Sequence, residues 1–278
     1  MLAEALLYAR ARLGGQQNRH GHLTELVAIW ARHRRQRQAW AAHLTRARAL
    51  CLTAAEASQP RRTALVLGAG LLLDVPLEQL SALFARVVLA DMAFLPATRR
   101  LAKALGNVEL VLADVTGCLD RLQDAEALAA RVPAPCPDLS LGLPDLDFVY
   151  SANLLSQLPL HALAALRKHA ATEADTMDDE NLEAFAASLV RAHLEALRSL
   201  PCPACLVTDT VERSYAGQRL DDEADLLYGV PLHLPGESWT WQLAPRGEIS
   251  PELHVERLVL GAPDARAAAR PPIGGPNA

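Results

Sequence analysis

The sequence predicts a doubly wound α/β domain: a mostly parallel, seven-stranded sheet with a terminal antiparallel hairpin, preceded by an N-terminal helical lobe. Three observations carry this expectation. Short apolar runs recur along the chain, separated by segments of helical periodicity, which is the pattern of β-α units. The first run, Thr63–Leu67, ends in Gly68-Ala69-Gly70. The next two end in acids, Asp91 after Arg86–Ala90 and Asp114 after Val108–Ala113. Such a series sets a glycine turn and two carboxylates along the carboxyl edge of a parallel sheet, where a nucleotide-type ligand lies.

The helical lobe comes first. Leu23, Leu26, Val27 and Trp30 recur at i, i+3, i+4 and i+7, and Trp40, Leu44, Ala47 and Cys51 continue at helical spacing. Residues 1–57 therefore read as two or three amphipathic helices, broken near Gly14-Gly15 and Gly21, and Ser58-Gln59-Pro60 ends the lobe. Trp30 and Trp40 are expected to pack in its core; the other role for them is stacking on a flat substrate or on bases beside Arg34, Arg35 and Arg37. His20 and His22 beside Arg19 are candidate lid residues. They and His33 and His43 are either solvated or available as a general base.

Thr63–Leu67 is short, apolar and ended by glycine, as a strand buried on both faces is. Pro76 starts a helix whose Leu77, Leu80, Leu83 and Phe84 face the sheet. Arg86–Ala90 is the second strand, residues 94–105 a helix, and 108–113 the third strand after Gly106-Asn107. Cys118–Arg131 reads as helix and the proline-rich stretch 132–144 as loop. The fourth strand is Leu146–Ser151. Two helices follow, the second marked by Leu182, Phe185, Ala186, Leu189, Val190, His193, Leu194 and Leu197. Asp178-Asp179-Glu180 stands at its start, where the helix dipole favours negative charge. Ala204–Asp209 is the fifth strand. Trp239, Trp241 and Leu243 alternate with polar residues in a half-buried strand, Pro245-Arg246-Gly247 turns the chain, and Leu253–Leu260 is the hairpin partner. Residues 263–278 are rich in Ala, Pro and Gly and are expected to be disordered. The expected division is thus a lobe or lid at 1–60, an α/β domain at 61–262 and a tail at 263–278.

Composition narrows the class. The 278 residues, 51% of them hydrophobic, suffice for one sizeable core with an extension. No apolar stretch is long enough to cross a bilayer, and the first residues lack the order of a secretory signal. Five scattered cysteines argue against a secreted disulfide framework, so a cytoplasmic protein is expected. Cys202-Pro203-Ala204-Cys205 has CxxC spacing, but it enters a strand and has no second ligand pair, so buried, incidental cysteines are expected and no metal. The net charge of −5 conceals an asymmetry: residues 1–62 carry eleven arginines and three acids, and the remainder is acidic. A basic lobe packed against an acidic body explains this, as does a nucleic-acid-binding arm.

Five β-α units followed by an antiparallel strand pair resemble the class I S-adenosylmethionine-dependent methyltransferases over roughly residues 61–261. The resemblance implies S-adenosylmethionine as cofactor. Gly68, Ala69 and Gly70 would pass under its methionine part, Asp91 with Met92 would hold the ribose and face the purine, Asp114 with Val115 would contact the adenine amine, and Ser151-Ala152-Asn153 would line the methyl-transfer site. Leu154–Leu158 also looks like the family's segment after the fourth strand. Two positions depart from the family pattern: Val66 where an acid is common, and Leu72 where a third glycine is common. Asp74 either replaces the missing acid or caps the helix at Pro76. Asn153 and Asp209 are the catalytic candidates, against loop-capping and ion-pairing roles. His233 and Glu248 flank the last hairpin with no role assigned. The implied function is methyl transfer to a small molecule or protein, by a monomer or homodimer, with no metal required. The alternatives are a catalytically inactive binding or scaffold protein of the same fold, and an RNA methyltransferase using the basic lobe. A dinucleotide-dependent oxidoreductase is the competitor at the level of fold.

Overall fold

A computed structural model describes residues 2–18, 21–123, 134–170 and 178–267, with residues 2 and 168–170 described by their backbone alone. Three helices open the chain: α1 (Leu2–Leu13), α2 (His22–Arg35) and α3 (Arg37–Ala57). The break between α2 and α3 falls at Gln36, a position without glycine or proline. Then follow β1 (Thr63–Leu67), α4 (Leu77–Leu83), β2 (Arg86–Asp91), α5 (Pro96–Leu105), β3 (Val108–Leu112), β4 (Leu146–Ala152), α6 (Leu158–Ala170), α7 (Asp179–Ser199), β5 (Ala204–Ala216), β6 (Arg219–Asp225), β7 (Glu237–Ala244) and β8 (Leu253–Ala262). The described part of the expected 118–131 helix is a 3-10 turn at Arg121–Gln123; the rest of that segment, like His20 and the tail from 268, lies outside the described residues.

Among the described residues the sheet has eight strands rather than seven. Seven run in the order β3-β2-β1-β4-β5-β8-β7, and β6 pairs with β5 off that path. The first five are mutually parallel, and β8 is antiparallel to both β5 and β7. The additional strand arises because β5 runs on past Asp209 to Ala216, turns at Gly217 and pairs back with β6. Every residue of β6 (RLDDEAD) is exposed, so no apolar alternation marks it in the sequence.

Alternate residues of each strand face opposite sides. Ala64, Val66, Val87, Leu89, Phe148 and Tyr150 join a core formed with α3 and α4, and Trp239 and Trp241 extend it along β7. Leu65, Leu67, Val88, Ala90, Val149 and Leu206 face the other way, onto Val190, Leu194 and Leu197 of α7. α3 therefore packs on the sheet, where Trp40 Nε1 donates to the Leu243 carbonyl at 2.9 Å. α1 and α2 lie over the carboxyl edge instead, with Leu23 and Val27 packed on Ala93 and Leu95. Arg35 of the N-terminal lobe pairs with Glu248 of the body at 2.7 Å, and Arg62, just before β1, pairs with Asp147 at 2.8 Å. No helix among the described residues is long and apolar enough to cross a membrane.

Candidate active site

β1 and β4 are neighbours whose following strands depart in opposite directions, so a crevice opens beyond their carboxyl ends. A cavity of about 660 Å³ lies there, roofed by α2 and part of α3. Gly68, Gly70, Asp91, Met92, Asp114, Val115, Ala152 and Asn153 line it. Ala69 and Ser151 are fully buried away from it. Ala69 sits in the α3-side core. The Ser151 side chain points to the opposite face, with Oγ 3.0 Å from His193 Nε2 on α7.

The glycine turn is tied to β2. Gly68 has φ +83°, and the Asp91 carboxylate accepts the Gly70 amide at 2.8 Å and the Ala93 amide at 3.2 Å. Burial raises Asp91 to about 6, against the pull of those amides. A Cβ at Gly68 would meet the Ala152 carbonyl at 2.8 Å; one at Gly70 would meet the Ala93 carbonyl and the Leu26 side chain, each at 2.9 Å. The glycines thus allow close approach of the chain to itself, with α2 resting directly on the turn.

Leu72, at the position of the family's third glycine, adopts φ +58°, a left-handed conformation that glycine takes without strain. Leu71, Leu72 and Leu73 form part of the cavity wall rather than filling it. Asp74 also lines the cavity. It does not cap α4: the N-cap is Pro76, and no side chain bonds there. Burial raises the Asp74 carboxyl to about 6, with Arg48 opposing and Asp209 adding to the rise.

Asp114 is occupied locally. Its Oδ1 accepts the Thr116 amide at 2.9 Å and the Thr116 hydroxyl at 2.6 Å, and its Oδ2 accepts the Leu119 amide at 2.8 Å. These bonds fix the carboxylate at the cavity wall and leave its remaining lone pairs for a ligand. Asn153 has φ +46°, and its Oδ1 accepts the Asp209 amide at 3.1 Å, bracing β4 against β5. Asp209 itself is sealed off at 0% exposure and holds Arg257 Nη1 at 2.6 Å. Burial raises its carboxyl while Arg257 opposes that rise. Arg257, which also bonds Glu212, reaches the cavity that Asp209 does not.

Part of the cavity wall is aromatic, and the sequence singles out Trp40 there but not its partner Trp241. Trp40, His43 and Trp241 line it. His43 stacks on Trp241 at 4.2 Å and 9° between planes, and Trp40 meets Trp241 edge-on at 4.9 Å. Trp239 Nε1 donates to His43 Nδ1 at 3.1 Å, and burial lowers His43 to about 4. The ring is therefore neutral, with its proton on Nε2. Trp241 Nε1 is buried with no hydrogen-bond partner. Trp40 is buried in the α3-side core and also lines the cavity, while Trp30 is partly buried beneath the Arg34 guanidinium at 4.8 Å. Cys202 and Cys205 are buried free thiols, both pushed upward by burial.

No family model matches the chain, and no curated protein matches it. Among solved structures, it is similar to a complex of DhpI with SAM and HEP, at 16% identity over 84% of this chain and 95% of that one, with a TM-score of 0.35. The 1,6-didemethyltoxoflavin-N1-methyltransferase of Burkholderia thailandensis, with 1,6-didemethyltoxoflavin and S-adenosylhomocysteine bound, is 16% identical over 86% and 89%, with a TM-score of 0.38. A DhpI–SAH complex is 17% identical over 92% and 93%, with a TM-score of 0.29.

Proposed function

We propose that the chain is a cytoplasmic S-adenosylmethionine-dependent methyltransferase acting on a small, planar acceptor. The observation that carries this is the Asp91 carboxylate, clamped by the Gly70 and Ala93 amides at the wall of a roofed cavity beyond β2. Each carboxylate oxygen keeps a lone pair for one hydroxyl of a vicinal diol. Met92 and Val115 offer apolar surface to a purine, and Asp114, already oriented by Thr116 and Leu119, accepts its amine. The bound sulfonium would supply an activated methyl group. The protein then has to orient the acceptor, exclude water and take up a proton.

Trp40, His43 and Trp241 supply flat apolar faces for the acceptor, and the His43 Nε2–H and Trp241 Nε1–H are donors for its polar edge. Asp74, which lines the same cavity and is held near 6 by burial, serves as the proton acceptor. Asn153 and Asp209 position this end: the first braces the strands, the second fixes Arg257. A volume of about 660 Å³ suits a cofactor with a small acceptor. The pairing of Arg35 with Glu248 supports a basic lobe packed on the body over an RNA-gripping arm. The free cysteines support a reducing compartment.

A crystal grown with S-adenosylhomocysteine tests the assignment. The expected result is a ribose on Asp91 with the sulfur directed toward the Trp40–Trp241 end. A ligand seated elsewhere overturns the proposal.

A further inference from the structure

His22 and Glu25 are three residues apart at the start of α2, so both project from one helix face. His161, in the first turn of α6, comes to meet them from the α/β body. Glu25 Oε2 contacts His161 Nε2 directly, and the His22 and His161 rings stand 3.6 Å apart between centroids. One donor atom from each residue lies within 4.8 Å of the other two. All three side chains line the cavity.

We propose that His22, Glu25 and His161 form a binding site for a divalent transition-metal ion of the zinc class. The donor set is two imidazoles and one carboxylate, a combination that leaves zinc a fourth position for water or substrate. Oxygen-seeking ions such as Mg²⁺ are poorly served by two nitrogen donors. Bond lengths of about 2.0–2.2 Å place tetrahedral donors roughly 3.4 Å apart, which side-chain rotations of about an ångström achieve here. The carboxylate is essential, because the N-terminus of α2 presents partial positive charge to the same spot.

The position gives the ion a structural consequence. α2 roofs the cavity and α6 belongs to the body, so a shared ion ties the roof down at the mouth. The open coordination position faces the cavity. Nothing in this site depends on methyl transfer: it uses none of the residues assigned to the cofactor.

The test uses the full chain, stripped with a chelator and titrated with Zn²⁺, Co²⁺ and Mg²⁺ by calorimetry, with Co²⁺ visible absorption as a reporter of coordination. The expected result is one Zn²⁺ per chain at micromolar affinity or tighter, a tetrahedral-type Co²⁺ spectrum, no Mg²⁺ binding and a zinc-dependent rise in Tm. His22→Ala, His161→Ala and Glu25→Gln should each weaken binding by at least ~10-fold. His233→Ala should leave it unchanged. Glu25→Gln preserves side-chain shape and guards against loss by misfolding, which circular dichroism checks. Absence of saturable zinc binding below a millimolar, or binding that survives His22→Ala and His161→Ala, overturns the proposal.

Discussion

The Gly70 amide donates to the Asp91 carboxylate at 2.8 Å, joining the turn after β1 to the end of β2 at the floor of the cavity. The two signals most visible in the sequence are thus one hydrogen-bonded unit. Burial raises Asp91 to about 6. The ionised form is the one that accepts a diol, so S-adenosylhomocysteine affinity should hold steady above pH 7 and fall below pH 6, approaching tenfold per unit. Asp74 titrates in the same range, so Asp74→Asn is the control. Titration calorimetry from pH 5 to 8 reads the slope, and a flat profile would remove the ribose role.

Leu72 has a left-handed backbone, φ +58°. A Cβ costs roughly 1–2 kcal/mol there, whereas in ordinary conformations alanine is more stable than glycine by about 0.5–1 kcal/mol. The usual order should therefore reverse: Leu72→Gly should be the more stable of the pair Leu72→Gly and Leu72→Ala by about 1 kcal/mol. Chemical denaturation measures the difference.

Arg257 faces the sealed Asp209 at 2.6 Å and Glu212 at 2.8 Å. Arg257→Met strands a buried carboxylate and should cost about 3–5 kcal/mol. Adding Asp209→Asn should recover more than half of that loss. Additive losses in the double variant would show that the pair is uncoupled.

His193 is held near 4, below its ordinary 6.5, by burial beside Ser151. Its folded value is depressed, so its contribution to stability is present above pH 6.5 and lost as pH falls toward 4, by roughly 3 kcal/mol in all. Asp91 and Asp74, whose folded values are raised, act in the opposite sense between about 6 and 3.8. The difference between wild type and His193→Gln isolates the histidine: the variant should lose less Tm on acidification from pH 6.5 to 4. Equal losses would contradict the buried, neutral ring.

β1 and β2 were legible because strands buried on both faces are short apolar runs, β3 because it is apolar although it stands partly exposed at the sheet edge, and Gly68, Asp91 and Asp114 mark the ends of the three. β6 escaped notice because all of its residues are exposed and most are acidic, so its pairing with β5 leaves no periodic trace. The sequence offers Trp40 as a stacking surface and His43 as a possible base but does not join them to Trp241. Trp40 and His43 read as one face of a helix, and Trp241 as one face of a strand almost 200 residues later. Only the packing of α3 on β7 brings them to one wall. Alternation along β4 turns the Ser151 side chain toward His193 and its neighbour Ala152 toward the cavity, and Asn153 joins Ala152 there because the chain leaves the strand in a left-handed conformation.

Titration calorimetry of the purified chain with S-adenosylmethionine and S-adenosylhomocysteine tests the central claim most directly. Both ligands should bind one to one, and Asp91→Ala should abolish binding while circular dichroism stays unchanged. If neither ligand binds the wild type, or if Asp91→Ala retains wild-type affinity, the proposed cofactor site is wrong.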